Sequence, residues 1–135
     1  MSPSASHLQA ALAAASAKAD GMGVAVNVAV VDGGGNLAAF LRMPGAFLAS
    51  IDIAIDKAWT ANSFGMATVA FSQMLAGEEP AVRDGLLRRP RITAIPGGHP
   101  IRRSEQLAGG IGVSGASAAQ DDEIAICGLN VLMES

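Results

Sequence analysis

Tyrosine is absent from this sequence, and one Trp and four Phe are its whole aromatic complement. Basic charge is also scarce: nine Lys and Arg stand against twelve Asp and Glu, for a net charge of −3. Both shortages argue against a nucleic-acid partner, because phosphate needs a basic patch and unpaired bases need aromatic platforms. The one basic cluster, Arg88, Arg89 and Arg91 with Arg102 and Arg103 further on, is short and has no interleaved aromatics. Cys127 is the single cysteine, so no disulfide closes within the chain and no C-x-x-C motif exists. It falls in the run Ile124-Ala125-Ile126-Cys127, which reads as a buried helix face rather than a reactive thiol. No apolar run approaches the roughly 18 residues of a membrane span. The residues from Met1 to His7 lack the basic-then-apolar order of a leader, so the expected setting is the cytoplasm.

What the chain has is apolar mass. Half of its 135 residues are hydrophobic and 16% are charged, too apolar for disorder and enough for one core. A single domain over residues 1–135 follows, with no internal repeat and no linker. Apolar content this high in a small domain implies surface buried between subunits, so a homo-oligomer is expected.

Leu8, Ala11, Leu12, Ala15, Ala19 and Met22 recur at helical spacing, predicting a helix over about 6–20 with a Ser6–Gln9 capping box, stopped by Gly21 and Gly23. The β-branched run 24–31 predicts a strand buried on both faces, and Asp32-Gly33-Gly34-Gly35-Asn36 a hairpin turn into a second strand, 37–42. Ser50 is the expected N-cap of a helix over 51–64, with Asp52 in its first turn. Residues 67–91 read as a flap-like connection with helical turns near Phe71–Leu75 and Val82–Leu87. Three strands follow, Ile92–Ile95, His99–Arg102 and Leu107–Ser114. Ser117 and Gln120 form a capping box that opens a last helix to about Met133, with Asp121, Asp122 and Glu123 in its first turn. Hairpin-linked strands with helices packed on them predict an antiparallel sheet in an α+β layered domain.

Several segments carry a family resemblance. They are Val30-Val31-Asp32-x-Gly34-Gly35-x-Leu37, Phe40-x-Arg42-Met43-x-Gly45-Ala46, the stretch from Ala49 to Ala61 around Asp52 and Lys57, Pro96-Gly97-Gly98-x-Pro100-Ile101, Ile111-Gly112-Val113-Ser114-Gly115, and Gln120-Asp121. Together they resemble the GlcG/HbpS-like family, which includes the haem-binding HbpS type and the PduO C-terminal domain, over about residues 20–133. The resemblance implies a profilin-like α/β/α sandwich with a central antiparallel sheet. It also implies dimers and octamers, and haem or related tetrapyrrole binding in some members. A role beside catabolic enzymes is implied as well.

The residues that bear chemistry each have two readings. Asp32 with Gly34 and Gly35 places a carboxylate beside exposed amides that would orient a ligand; equally, the turn needs these residues for its backbone. Arg42 would clamp a carboxylate bidentately, and a partly buried Lys57 would serve as base or nucleophile. The alternative is an Arg42–Asp52 pair tying the hairpin to the helix. Gly115, in the loop before the last helix, would line a ligand, but not phosphate, since no P-loop Lys is present and Asp121, Asp122 and Glu123 repel anions. Ser114 lacks a G-x-S-x-G setting. His99, after Pro96-Gly97-Gly98, is expected to be accessible on a turn, as acid/base or ligand. His7 as an axial haem ligand would need a neighbouring subunit. No His/Asp/Glu spacing makes a zinc site.

Three functions fit these residues: a small-ligand-binding protein for haem or a related tetrapyrrole, a catabolic enzyme, or an accessory subunit. The enzyme would be a hydratase, deaminase, hydrolase or isomerase of a ring-cleavage or organic-acid pathway. In it Arg42 is the carboxylate clamp and His99 the acid/base, with Asp32 or Lys57 assisting.

Overall fold

The computed structural model describes residues 2–133. Its elements are α1 (Ala5–Met22), β1 (Asn27–Asp32), β2 (Leu37–Arg42), α2 (Ser50–Phe64), α3 (Thr68–Ala76), α4 (Pro80–Leu87), β3 (Gly98–Arg103), β4 (Gln106–Ser114) and α5 (Ala118–Met133). The four strands form one sheet in the order β2-β1-β4-β3, every pair antiparallel. β1 and β4 are central, and both are almost wholly buried, which matches the aliphatic runs that predicted them.

The side chains of β1 alternate between two layers. Val28 and Val30 join Ile101, Ile111 and Val113 in a core closed by Ala11, Ala15 and Ala19 of α1 and Ile124, Ala125 and Leu132 of α5. Ala29 and Val31 face the other way, onto Ala54 and Ala58 of α2. The result is the expected α/β/α sandwich. On the α2 side the sheet is lined by glycine, so helix and strand backbones touch. A Cβ on Gly110 would stand 2.2 Å from the Ala58 carbonyl oxygen, and one on Gly112 2.1 Å from that of Ala54.

Several local expectations need correction. The cap of α1 is Ser4 rather than Ser6: Ser4 Oγ accepts from the His7 amide at 3.3 Å. Gly21 lies inside α1, which ends at Gly23 in the left-handed region. Ser50 is already helical, and Ala49 precedes α2 with no side-chain cap. The first strand begins at Asn27, not Val24, because residues 24–26 bring the chain out of the α1 C-cap, where the Val24 amide still donates to Ala19. Ile92–Ile95 is not a strand. There the backbone is held by a side chain instead: Thr60 Oγ donates to the Arg91 carbonyl at 2.8 Å and accepts from the Thr93 amide at 3.1 Å. The flap-like connection contains two true helices, and α4 buries none of its residues.

The last helix starts as expected. Ser117 Oγ accepts from the Gln120 amide and Gln120 Oε1 from the Ser117 amide, each at 3.2 Å. Ser117→Ala is therefore expected to lower stability by about 1 kcal/mol, read from the urea midpoint, the usual cost of a lost N-cap.

Candidate functional site

The two aspartates that open α5 do more than answer its dipole. Lys57, from the sheet-facing side of α2, is 1% exposed and donates through Nζ to the Val113 carbonyl at 2.8 Å and to Asp121 Oδ2 at 3.3 Å. Asp121 is equally enclosed, and its other oxygen accepts from the Ala116 amide at 2.9 Å. Burial lowers the Lys57 pKa below its ordinary value, opposed by the charge and hydrogen bond of Asp121. Gly97, at φ +123, allows the close approach, since a Cβ there would stand 3.0 Å from Lys57 Nζ.

Asp122 ties down a different element. Its Oδ1 lies 2.7 Å from His99 Nε2, and both side chains are largely buried. His99 is thus a residue of β3, opposite Ile111 of β4, rather than an accessible residue on a turn. The consecutive pairs Lys57–Asp121 and His99–Asp122 form one polar cluster at the amino end of α5. Lys57 and His99 stand out in the sequence by residue type, whereas Asp121 and Asp122 read there only as helix-dipole charges. The signal for Lys57 was its place between Ala54, Ala58 and Ala61, on the face that must meet the sheet.

The remaining candidates are dispersed. Asp32 Oδ1 accepts from the amides of Gly34 and Asn36 at 3.0 and 2.9 Å, so this carboxylate shapes its own turn. Gly35 lies against the Trp59 indole, over which the Arg91 guanidinium stacks at 4.6 Å. Arg42 donates to the Ala46 carbonyl at 2.9 Å and makes no ion pair with Asp52, which is exposed in the first turn of α2. Asn27 of β1 instead holds the loop that precedes α2, its Nδ2 donating to the Phe47 carbonyl at 3.0 Å. Gly115 has φ +136 and lies beside Ala25.

The structure brings Lys57 and His99 to one cluster but does not bring Arg42 to them. Arg42 and His99 stand on opposite edge strands, which lie three strand spacings or about 14 Å apart, and are offset along them as well, since Arg42 aligns through Asn27 with Ser114 and His99 with Ile111. They also point to opposite faces, Arg42 beside Asn27 on the α2 side and His99 toward α5. Among the described residues no cavity is found, and no group of three His, Cys, Asp or Glu is placed to hold a metal ion. No helix is long and apolar enough to cross a membrane.

His7 has a different geometry from His99. It is half-buried in the first turn of α1, and its Nδ1 lies 2.8 Å from Ser4 Oγ. Nε2 has no hydrogen-bond partner among the described residues.

Comparison with known proteins places this arrangement. The family described as haem-degrading protein HbpS-like matches residues 4–130. The corrinoid adenosyltransferase PduO of Citrobacter freundii is 35% identical over 124 residues, which are 87% of this chain. The chain spans only 36% of that protein's length. Among solved structures, a PduOC:haem complex superimposes with a TM-score of 0.89 at 32% identity, covering 97% of this chain and 95% of that one. A double mutant of Streptomyces reticuli HbpS gives a TM-score of 0.87 at 34% identity, covering 98% and 88%. The sandwich is therefore that of a shared fold, and this chain is a member of the HbpS-like family.

Proposed function

We propose that this chain binds haem or a related tetrapyrrole as a small-ligand-binding protein, with His7 as the axial ligand. Haem iron held by a single protein ligand takes His, Cys or Tyr, and the sequence holds two His, one Cys and no Tyr. Cys127 is half-buried with its thiol on the Ala14 carbonyl, and His99 Nε2 is engaged by Asp122. His7 is the one whose ring is held at Nδ1 and free at Nε2, and this observation carries the reading. Ser4 Oγ accepts from the His7 amide and stands beside both His7 Nδ1 and Ser6 Oγ. When it accepts from Nδ1–H as well, the Nε2 lone pair points outward, the tautomer a metal-ligating imidazole requires.

The family description and the haem complex of a relative at 32% identity support the same reading. With no cavity among the described residues, the ring would lie on the surface beside the first turn of α1, its outer side covered by a neighbouring copy. When bound, the iron would supply ligand-binding or redox chemistry; the chain's part is to fix the imidazole.

Haemin titration tests this. The wild-type chain is expected to develop a sharp Soret band, and His7→Ala to lose it or to bind at least about tenfold more weakly, equivalent to about 1.4 kcal/mol. His99→Gln is expected to retain the band, and added imidazole to restore it in His7→Ala. A His7→Ala protein that titrates like wild type, or a wild type without a band, sinks the reading.

A further inference from the structure

Among the described residues, Arg91, Ser104 and Glu105 are the non-glycine residues with a left-handed backbone, at φ +76, +52 and +65. Ser104 and Glu105 form the two-residue turn between β3 and β4, which calls for that conformation. Arg91 belongs to no hairpin. The Ile92 amide donates to the Arg89 carbonyl at 3.4 Å across Pro90 and Arg91, the form of a type II turn with proline in its second place. The third place of such a turn favours glycine or asparagine. An arginine there is strained, and its surroundings must fix it.

Two consecutive residues of α2 do so. Thr60, 1% exposed, holds the backbone, its Oγ donating to the Arg91 carbonyl at 2.8 Å. Trp59 holds the side chain, with the guanidinium carbon 4.6 Å from the ring centroid. Arg91 is exposed, and none of its five guanidinium N–H donors has a hydrogen-bond or ion-pair partner among the described residues. Asp56, three residues before Trp59, feels the Arg91 charge but makes no ion pair with it. Trp59 Nε1–H also has no partner among the described residues, and it is not buried. It stands at the ring edge beside Gly35 of the β1–β2 turn.

Backbone strain kept at a position where asparagine would relax the turn marks a side chain retained for binding. We infer that Arg91, held over Trp59, anchors the carboxylate of a small-molecule ligand, with Trp59 Nε1–H as a further donor to the same anion. The planar guanidinium donates two parallel N–H bonds to the two oxygens. The surrounding charge selects a monoanion. Arg88 and Arg89, exposed just before Arg91 in the chain, favour an anion, while Asp52 and Asp56 on α2 repel a doubly charged phosphate. No cavity encloses the anchor among the described residues, so the ligand lies on the surface and half-saturation is expected at about 1 mM. α2 covers one side of the sheet and α1 the other, so this site is independent of haem at His7.

Titration of the haem-free full chain with benzoate tests this. Trp59 is the sole tryptophan, so its indole N–H resonance and its fluorescence both report on the site. Wild type is expected to show a saturable change. Arg91→Lys keeps the charge but loses the fork, and Arg91→Asn suits the turn but loses both; each is expected to bind at least about tenfold more weakly. Asp56→Asn removes a competing charge and is expected to bind about twofold more tightly. Inorganic phosphate is expected to bind at least about tenfold more weakly than benzoate. Circular dichroism confirms that the variants fold. A wild type unchanged by benzoate in both signals overturns the inference, as do Arg91 variants that titrate like wild type. Phosphate binding as tight as benzoate overturns the choice of a carboxylate, and weaker binding by Asp56→Asn overturns the charge argument.

Discussion

Gly112→Ala is expected to abolish folding or to lower stability by about 4 kcal/mol or more, a loss confined to a few mechanisms. The mechanism here is backbone against backbone. The added Cβ would stand 2.1 Å from the Ala54 carbonyl oxygen and 2.6 Å from the Ala58 amide nitrogen. Neither atom can rotate away, as the end of a side chain would. α2 must therefore lift from β4, and its lifting opens the layer that holds Ala29, Val31, Ala54 and Ala58. Gly110→Ala meets the same obstacle at the Ala58 carbonyl. Gly85→Ala is the control: it lies in α4 with open space around its Cβ position. That change is expected to be neutral or to stabilise by about 0.5–1 kcal/mol through helix propensity. Urea unfolding of the three variants distinguishes these outcomes. A Gly112→Ala protein within about 1 kcal/mol of wild type would contradict the contact.

The second large effect comes from Asp121. Removing its carboxylate in Asp121→Ala leaves the Lys57 ammonium buried with one carbonyl for company, and is expected to cost about 3–5 kcal/mol. Replacing both groups, as Lys57→Met/Asp121→Leu, is expected to recover most of that loss, because two charges leave the interior together. A double-mutant cycle by chemical denaturation measures the coupling. If the double variant is as unstable as Asp121→Ala, the pair is not what holds these elements. The depressed Lys57 pKa adds a pH signature. Between the folded pKa and the unfolded value near 10.5, the native chain has released a proton that the unfolded chain still holds. Wild-type stability therefore gains with rising pH across that window, relative to Lys57→Met, and the gain is absent below it.

Much of this fold was legible because its core is written in simple periodicities. The alanine stripe Ala11, Ala15 and Ala19 and the aliphatic runs of β1 and β4 bury the faces their spacing predicted. Ile92–Ile95 misled for a physical reason: it has strand-like residues, but Thr60 bonds the backbone on either side of Ile92, accepting from the Thr93 amide and donating to the Arg91 carbonyl, where a strand would bond a neighbouring strand. The polar cluster was half legible. Lys57 and His99 attracted attention by residue type, whereas Asp121 and Asp122 had a sufficient local explanation in the helix dipole. Their partners lie 64 and 23 residues away, and no local pattern encodes such distances. Nothing local in the sequence sets His7 apart from His99, because the difference rests on Ser4, a cap that the Ser6–Gln9 pattern conceals.

The position of β1 in the sheet also sets when the fold can form. One neighbour, β2, follows it directly, but the other, β4, arrives only at residues 106–114. Until then a strand that the finished fold buries almost completely has an unpaired side, and α1, already made, has neither β4 nor α5 to pack on. The hairpin alone is too small to persist in water. Contacts of such long sequence separation are formed late and slowly. A ribosome must therefore release nearly the whole chain before any of it is secure, and during synthesis the exposed strand is where a chaperone or a second unfinished chain would first attach.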